Sequence, residues 1–189
     1  MDNPSTIVQA ADRRLDHPVS LVVFGRGAIC LGFDSPPPET AKTQDVDAII
    51  SLAQAGELEH DPGFWNAVEG ANADLAALGL YITHLFSEEE IFLRRDWLKH
   101  VVPVARPPLR WLRLFRPAAI DLVLTKMMRG DDAQDMADAA FLIRHDNLMP
   151  AQLEEAFTQM KPIDLVELRD AFAKAKPIVL QFAQVNLKQ

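Results

Sequence analysis

The spacing of apolar positions along the 189-residue chain changes near its middle, from short strand-like runs to sustained helical repeats. Ile7, Val8, Ala11 and Leu15 share one face of a helix expected over residues 4–15, with Asn3 as its cap and Pro4 in the first turn. Ser20–Phe24 is a brief apolar run and reads as a buried strand, with Gly27–Phe33 as a short helix behind it. Pro36-Pro37-Pro38 makes Ser35–Thr43 an exposed loop, after which Asp45–Ser51 reads as a second strand. Phe64, Val68, Ala71, Leu75 and Leu78 recur at helical spacing, and Gly79 suits the end of that helix.

Leu80–Phe86 and Glu90–Leu93 read as strands or a hairpin. Val101–Ala105 and Trp111–Phe115 are two further strand candidates, separated by Pro107-Pro108. From Pro117 the pattern is helical, over Pro117–Arg129, Asp132–His145, Pro150–Met160 and Asp164–Val185, with Pro177 expected to kink or split the last helix. This order predicts an α/β (α+β) architecture: a mixed β-sheet with flanking helices, followed by a C-terminal helical part. Residues 1–116 are expected to form the α/β core and residues 117–189 a helical region packed on it.

A chain of this length buries roughly 70% of the surface that its unfolded form exposes, and its 49% hydrophobic content supplies a full core. Cys30 is the single cysteine, so an intramolecular disulfide and a multi-thiolate zinc site are both excluded. The five histidines show no metal-ligand spacing. Charged residues from Asp2 to Asp16 interrupt any signal-like apolar run, and no stretch approaches the roughly 18 apolar residues of a membrane helix. The expectation is a cytoplasmic protein with no membrane partner.

Charge is distributed unevenly within the net −8: residues 1–93 carry −11, residues 94–116 carry +6 and residues 117–189 carry −3. The basic block comprises Arg94, Arg95, Lys99, Arg106, Arg110, Arg113 and Arg116. It reads either as a phosphate- or RNA-facing patch or as a solvated face balancing the acidic first half.

Two stretches carry candidate chemistry. Val22-Val23-Phe24-Gly25-Arg26-Gly27-Ala28 is a strand entering a helix through glycines, which lets backbone approach a phosphate without a Cβ in the way. Thr43-Gln44-Asp45-Val46-Asp47 opens the second strand, where alternate residues project to one side and bring Asp45 and Asp47 together. Paired carboxylates beside such a turn suit a divalent metal holding a nucleotide phosphate. Glycines needed only for packing are the alternative. Farther along, Lys126 ends a largely apolar helix, and Asp135 and Asp138 share a face of the next. A lysine reaching a triphosphate beside an acid fits this spacing, and so does an interhelical ion pair.

Gly25-Arg26-Gly27-Ala28, Asp45-Val46-Asp47 and Lys126 with Arg129, Asp135 and Asp138 together resemble the DNA polymerase β-type nucleotidyltransferase superfamily. The closer resemblance is to its minimal bacterial branch, which includes AbiEii and MenT toxin-like proteins, and it spans roughly residues 20–145. It implies a nucleotidyltransferase-like fold with Mg²⁺ held by Asp45 and Asp47, and an NTP bound through Gly25, Arg26, Gly27 and Lys126. The implied catalytic set is Asp45, Asp47, Lys126 and Asp135, with Asp138 as the alternative to Asp135. The implied acceptor is a hydroxyl on RNA (tRNA), a protein or a small molecule, and the toxin-like branch implies an antitoxin partner. The turn here is Gly-Arg-Gly rather than Gly-Gly or Gly-Ser. Where the wider superfamily has a third strand carboxylate, Leu80–Phe86 offers Thr83 and His84, with Glu88–Glu90 just beyond. A catalytically impaired binding or regulatory module of the same fold is the second expectation.

Overall fold

The computed structural model describes residues 1–161 and 164–186. They form two compact units, Met1–Glu88 with Val101–Arg116, and Glu89–His100 with Pro117–Gln189. The sequence boundary at Arg116-Pro117 coincides with one of the breaks, whereas the excursion of Glu89–His100 into the helical unit has no marker in the apolar pattern.

The first unit is a mixed sheet with helices against it. Its strands are β1 (Val19–Phe24), β2 (Asp45–Ile50), β3 (Tyr81–Ser87), β4 (Val102–Pro103) and β5 (Leu112–Arg116), in the order β3-β2-β1-β5-β4. β1 runs antiparallel to β2 and parallel to β5, β2 and β3 are parallel, and β4 is antiparallel to β5. Helices α1 (Asn3–Asp12), α2 (Gly25–Gly32) and α4 (Pro62–Leu75) pack on the strands, and α3 (Leu52–Glu59) follows β2. Apolar side chains on one face of β1 and β2, among them Leu21, Val23, Val46 and Ala48, are buried, as are Ile7, Ile29 and Phe64 of those helices.

Local chemistry explains the element ends. Asp2, rather than Asn3, caps α1, its carboxylate accepting from the backbone N–H of Ser5 at 2.7 Å. The helix stops at Asp12, short of the expected residue 15. The Asp12 carboxylate accepts the backbone N–H groups of Arg110, Trp111 and Leu112 at 2.7–3.1 Å, pinning the entry to β5. Gly79 ends the α4 region in the left-handed conformation, φ +64°.

The second unit contains α5 (Ala119–Lys126), α6 (Ala133–His145), α7 (Pro150–Gln159) and α8 (Val166–Asn186). Pro177 neither ends nor splits α8, which is one helix from Val166 to Asn186. Glu90–Leu93 is not a strand: Glu88–Glu90 is a 3₁₀ turn, and Ile91, Phe92 and Leu93 are buried apolar residues. A short apolar run carries no periodicity to separate these outcomes. Among the described residues no helix is long and apolar enough to cross a membrane.

Candidate functional site

In the first unit, the strand-to-helix turn and the carboxylate strand meet. Phe24, the last residue of β1, pairs across the sheet with Asp47, and α2 begins at the next residue. Gly25 has φ +64°, which L side chains rarely adopt, and a Cβ placed on it would stand 3.7 Å from Oδ2 of Asp47. Gly27 has a different reason to be glycine. A Cβ there would lie 3.3 Å from Cγ2 of Val46, so this position is set by the close packing of α2 on β2. Arg26, between them, is half-buried.

Asp45 and Asp47 are half-buried, on one side of β2, while Val46 points into the core. The hydroxyl of Thr43 donates to Oδ1 of Asp45 at 2.8 Å, which orients that carboxylate. The register against β3 slips here. Val46 pairs with Ile82 and Ala48 with Leu85, so Asp47 alone stands opposite two residues, Thr83 and His84. Such a bulge re-aims the strand locally. The side chains of Thr83 and His84 lie outside the described residues.

Glu88, adjacent to the end of β3, is buried, and its Oε1 accepts the backbone N–H of Leu52 at 2.9 Å at the start of α3. Because Ser87 pairs with Ile50, this carboxylate follows the end of the strand pair opposite to Asp45. Among the described residues no three His, Cys, Asp or Glu side chains converge in a metal-binding group. The Asp45–Asp47 pair nevertheless fits the way Mg²⁺ is often held, by one or two carboxylates with the remaining oxygens supplied by water and substrate phosphates. The missing Cβ of Gly25 leaves space beside Asp47 for such a ligand.

Lys126, Asp135 and Asp138 are assembled in the second unit. The Lys126 ammonium donates to Oδ1 of Asp135 at 2.9 Å and to Oδ2 of Asp138 at 2.7 Å, with all three side chains no more than 7% exposed. Arg129 donates through Nε to the other oxygen of Asp135. Burial works against ionisation of Asp135, but the hydrogen bond from Arg129 and the charge of Lys126 outweigh it and hold the carboxyl below its ordinary range. A carboxylate so stabilised is a weak proton acceptor. This is the interhelical ion cluster that the spacing allowed, fastening α5 to α6.

The basic block is divided between the two units. Arg95 and Lys99 are exposed residues of the second unit, whereas Arg110 and Arg113 belong to the first. Arg116 is buried, lies 3.8 Å over the Phe33 ring and donates to the Gly32 carbonyl at 2.9 Å; Arg106 donates to the Phe33 carbonyl at 3.0 Å. Arg94 forks onto Asp121, Nε to Oδ1 at 3.0 Å and Nη2 to Oδ2 at 2.7 Å. Asp121 was the signal to notice in the sequence: it is an acid within an apolar helical run, fully buried, and so must find a cation.

Neither a protein-family model, nor a curated protein, nor a solved structure matches this chain.

Proposed function

We propose that the protein is a nucleotidyltransferase-like enzyme of the DNA polymerase β type, which binds an NTP with Mg²⁺ and transfers its nucleotidyl group to a hydroxyl. The observation that carries this reading is the juxtaposition of the Gly25 turn with the Asp47 carboxylate, one position across from the end of β1. The turn opens a helix, whose first backbone N–H groups favour phosphate oxygens. Asp45 and Asp47 are the residues that would hold Mg²⁺. Bound there, the ion would offset the charge of the triphosphate as it develops during transfer.

In the reaction, the acceptor hydroxyl oxygen bonds to the α-phosphorus, the bond from that phosphorus to the bridging oxygen of the β-phosphate breaks, and pyrophosphate leaves while the hydroxyl proton passes to a base in solution. Arg26, at the second position of the turn, is the residue that would bring a guanidinium to the polyphosphate. The acceptor class remains RNA (tRNA), a protein or a small molecule, and an antitoxin-like partner belongs to the toxin-like form of the same proposal.

A second reading is a binding module of this fold with impaired catalysis. It is supported by the residues opposite Asp47, Thr83 and His84, neither of which is a carboxylate. Titration calorimetry with NTPs, with and without Mg²⁺, on the wild type and on the double variant Asp45→Asn/Asp47→Asn tests both. Metal-dependent binding lost in the variant supports the common site, and pyrophosphate release then separates enzyme from module. Absence of nucleotide binding by folded wild type overturns both readings.

A further inference from the structure

The second unit contains a cavity of about 370 Å³, bounded by the Glu89–His100 segment, the start of α5, the α6–α7 connection and α7. It is a volume suited to a small metabolite. One wall presents Arg94. The fully buried Asp121 fixes this residue at three points, accepting its Nε, its Nη2 and its own backbone N–H at 2.7–3.1 Å. The neighbouring backbone is clamped as well, since Arg95 N–H donates to the Gln159 carbonyl and Lys161 N–H to that of Leu93. The guanidinium is therefore held in a single orientation, and its described hydrogen bonds leave Nη1 unused.

Another part of the lining carries Glu155 of α7 and Asp146 of the α6–α7 connection, and Ile120, Leu148 and Ala156 supply an apolar surface. Glu155 is exposed, and the hydrogen bond described for its carboxylate comes from the neutral amide of Gln159 at 3.0 Å. Arg94 and Glu155 line the same cavity with opposite charges, yet Arg94 pairs with Asp121 and not with Glu155. A purely anionic ligand would meet Glu155, Asp146 and Asp96, the last paired with His100 at 3.2 Å, as like charges. A purely cationic one would meet the fixed Arg94. A small molecule with both signs satisfies both walls.

We propose that this cavity binds a small free zwitterion of the α-amino-acid type, its carboxylate on Nη1 of Arg94 and its ammonium on Glu155, with the side chain against the apolar lining. The site lies wholly within the second unit and does not depend on the nucleotide reading.

The test is a thermal-shift and calorimetric screen of the full-length protein against the common amino acids, with acetate and methylamine as the separate halves. At about 10 mM ligand, a Kd of about 1 mM already gives near saturation. The expected result is saturable binding of at least one amino acid and weaker or no binding of either half. Glu155→Gln, at an exposed position, should weaken it at least about tenfold. Arg94→Lys, which keeps a cation for Asp121 but removes the fork, should do the same with the circular dichroism spectrum retained. Lack of binding across the screen overturns the proposal. So does binding that Glu155→Gln leaves unchanged, or acetate binding as tight as that of any amino acid, which would assign a simple anion site instead.

Discussion

The Cβ that Gly25 lacks would stand 3.7 Å from Oδ2 of Asp47. Two motifs separated by a proline-rich loop are thus in contact through an absent atom, and replacing this glycine tests conformation and site chemistry together. Gly25→Ala places an L residue at φ +64°, a cost of about 1 kcal/mol. It also fills the space beside the carboxylate. Stability by urea denaturation should fall modestly, while Mg²⁺-dependent nucleotide binding should fall at least about tenfold. Unaltered binding would show that the turn is glycine for backbone reasons alone.

Lys126 is enclosed by Asp135 and Asp138 at 2.9 and 2.7 Å. Lys126→Met takes the ammonium away from two buried carboxylates, of which Asp135 keeps Arg129, and should destabilise the protein by about 3 kcal/mol. Asp135→Asn should abolish part of the acid sensitivity. Its folded pKa is lowered from 3.8, so its contribution is present above the unfolded value and is lost as pH falls through the folded one. Urea denaturation between neutral pH and acid, on wild type and Asp135→Asn, measures the difference. Curves of identical pH dependence would remove Asp135 from this role.

Asp12 joins the end of α1 to the start of β5 by accepting three successive backbone N–H groups. Burial disfavours its charge, but those N–H bonds prevail and lower its pKa. Asp12→Ala leaves the amides without their acceptor and should cost about 3 kcal/mol. A change under about 0.5 kcal/mol, the scale of an ordinary surface substitution, would mean that water replaces the carboxylate there.

His17 makes contacts of 2.7 Å through both ring nitrogens, Nδ1 to Asp16 and Nε2 to Asp61. Two carboxylate acceptors call for two N–H donors, hence the imidazolium. The bond to Asp16, then that to Asp61, raise the histidine pKa above 6.5. The linkage therefore stabilises the fold fully below the unfolded value and is lost as pH rises through the folded one. The His17 ring resonances in NMR should titrate above 6.5 in the wild type and lower in Asp61→Asn. A wild-type midpoint at or below the ordinary value would exclude the doubly bonded form.

The sequence was most legible where a pattern is local. β1, β2 and the helices of the second unit follow from runs and periods within about a dozen residues, and the Asp45-x-Asp47 spacing alone places two carboxylates on one side of a strand. Glu90–Leu93 reads as a strand or half of a hairpin in sequence yet is neither, because four apolar or flanking positions specify burial without specifying what they are buried in. α3 went unnoticed, its Leu52–Glu59 span carrying only Leu58 as a buried position.

What the sequence by itself determined is the mixed class of the fold, the element types with strong periodicity, and the candidate turn and carboxylates of the first unit. Tertiary structure alone decided that Gly25 opens beside Asp47 whereas Gly27 packs on Val46, that Lys126 is enclosed by carboxylates, and that Arg94 leaves the basic block to serve a buried acid. The reason is one of range. Periodicity reports which face of an element is apolar, but the partner of a buried charge is chosen by low-dielectric surroundings assembled from distant residues, such as Asp121 lying 27 positions from Arg94.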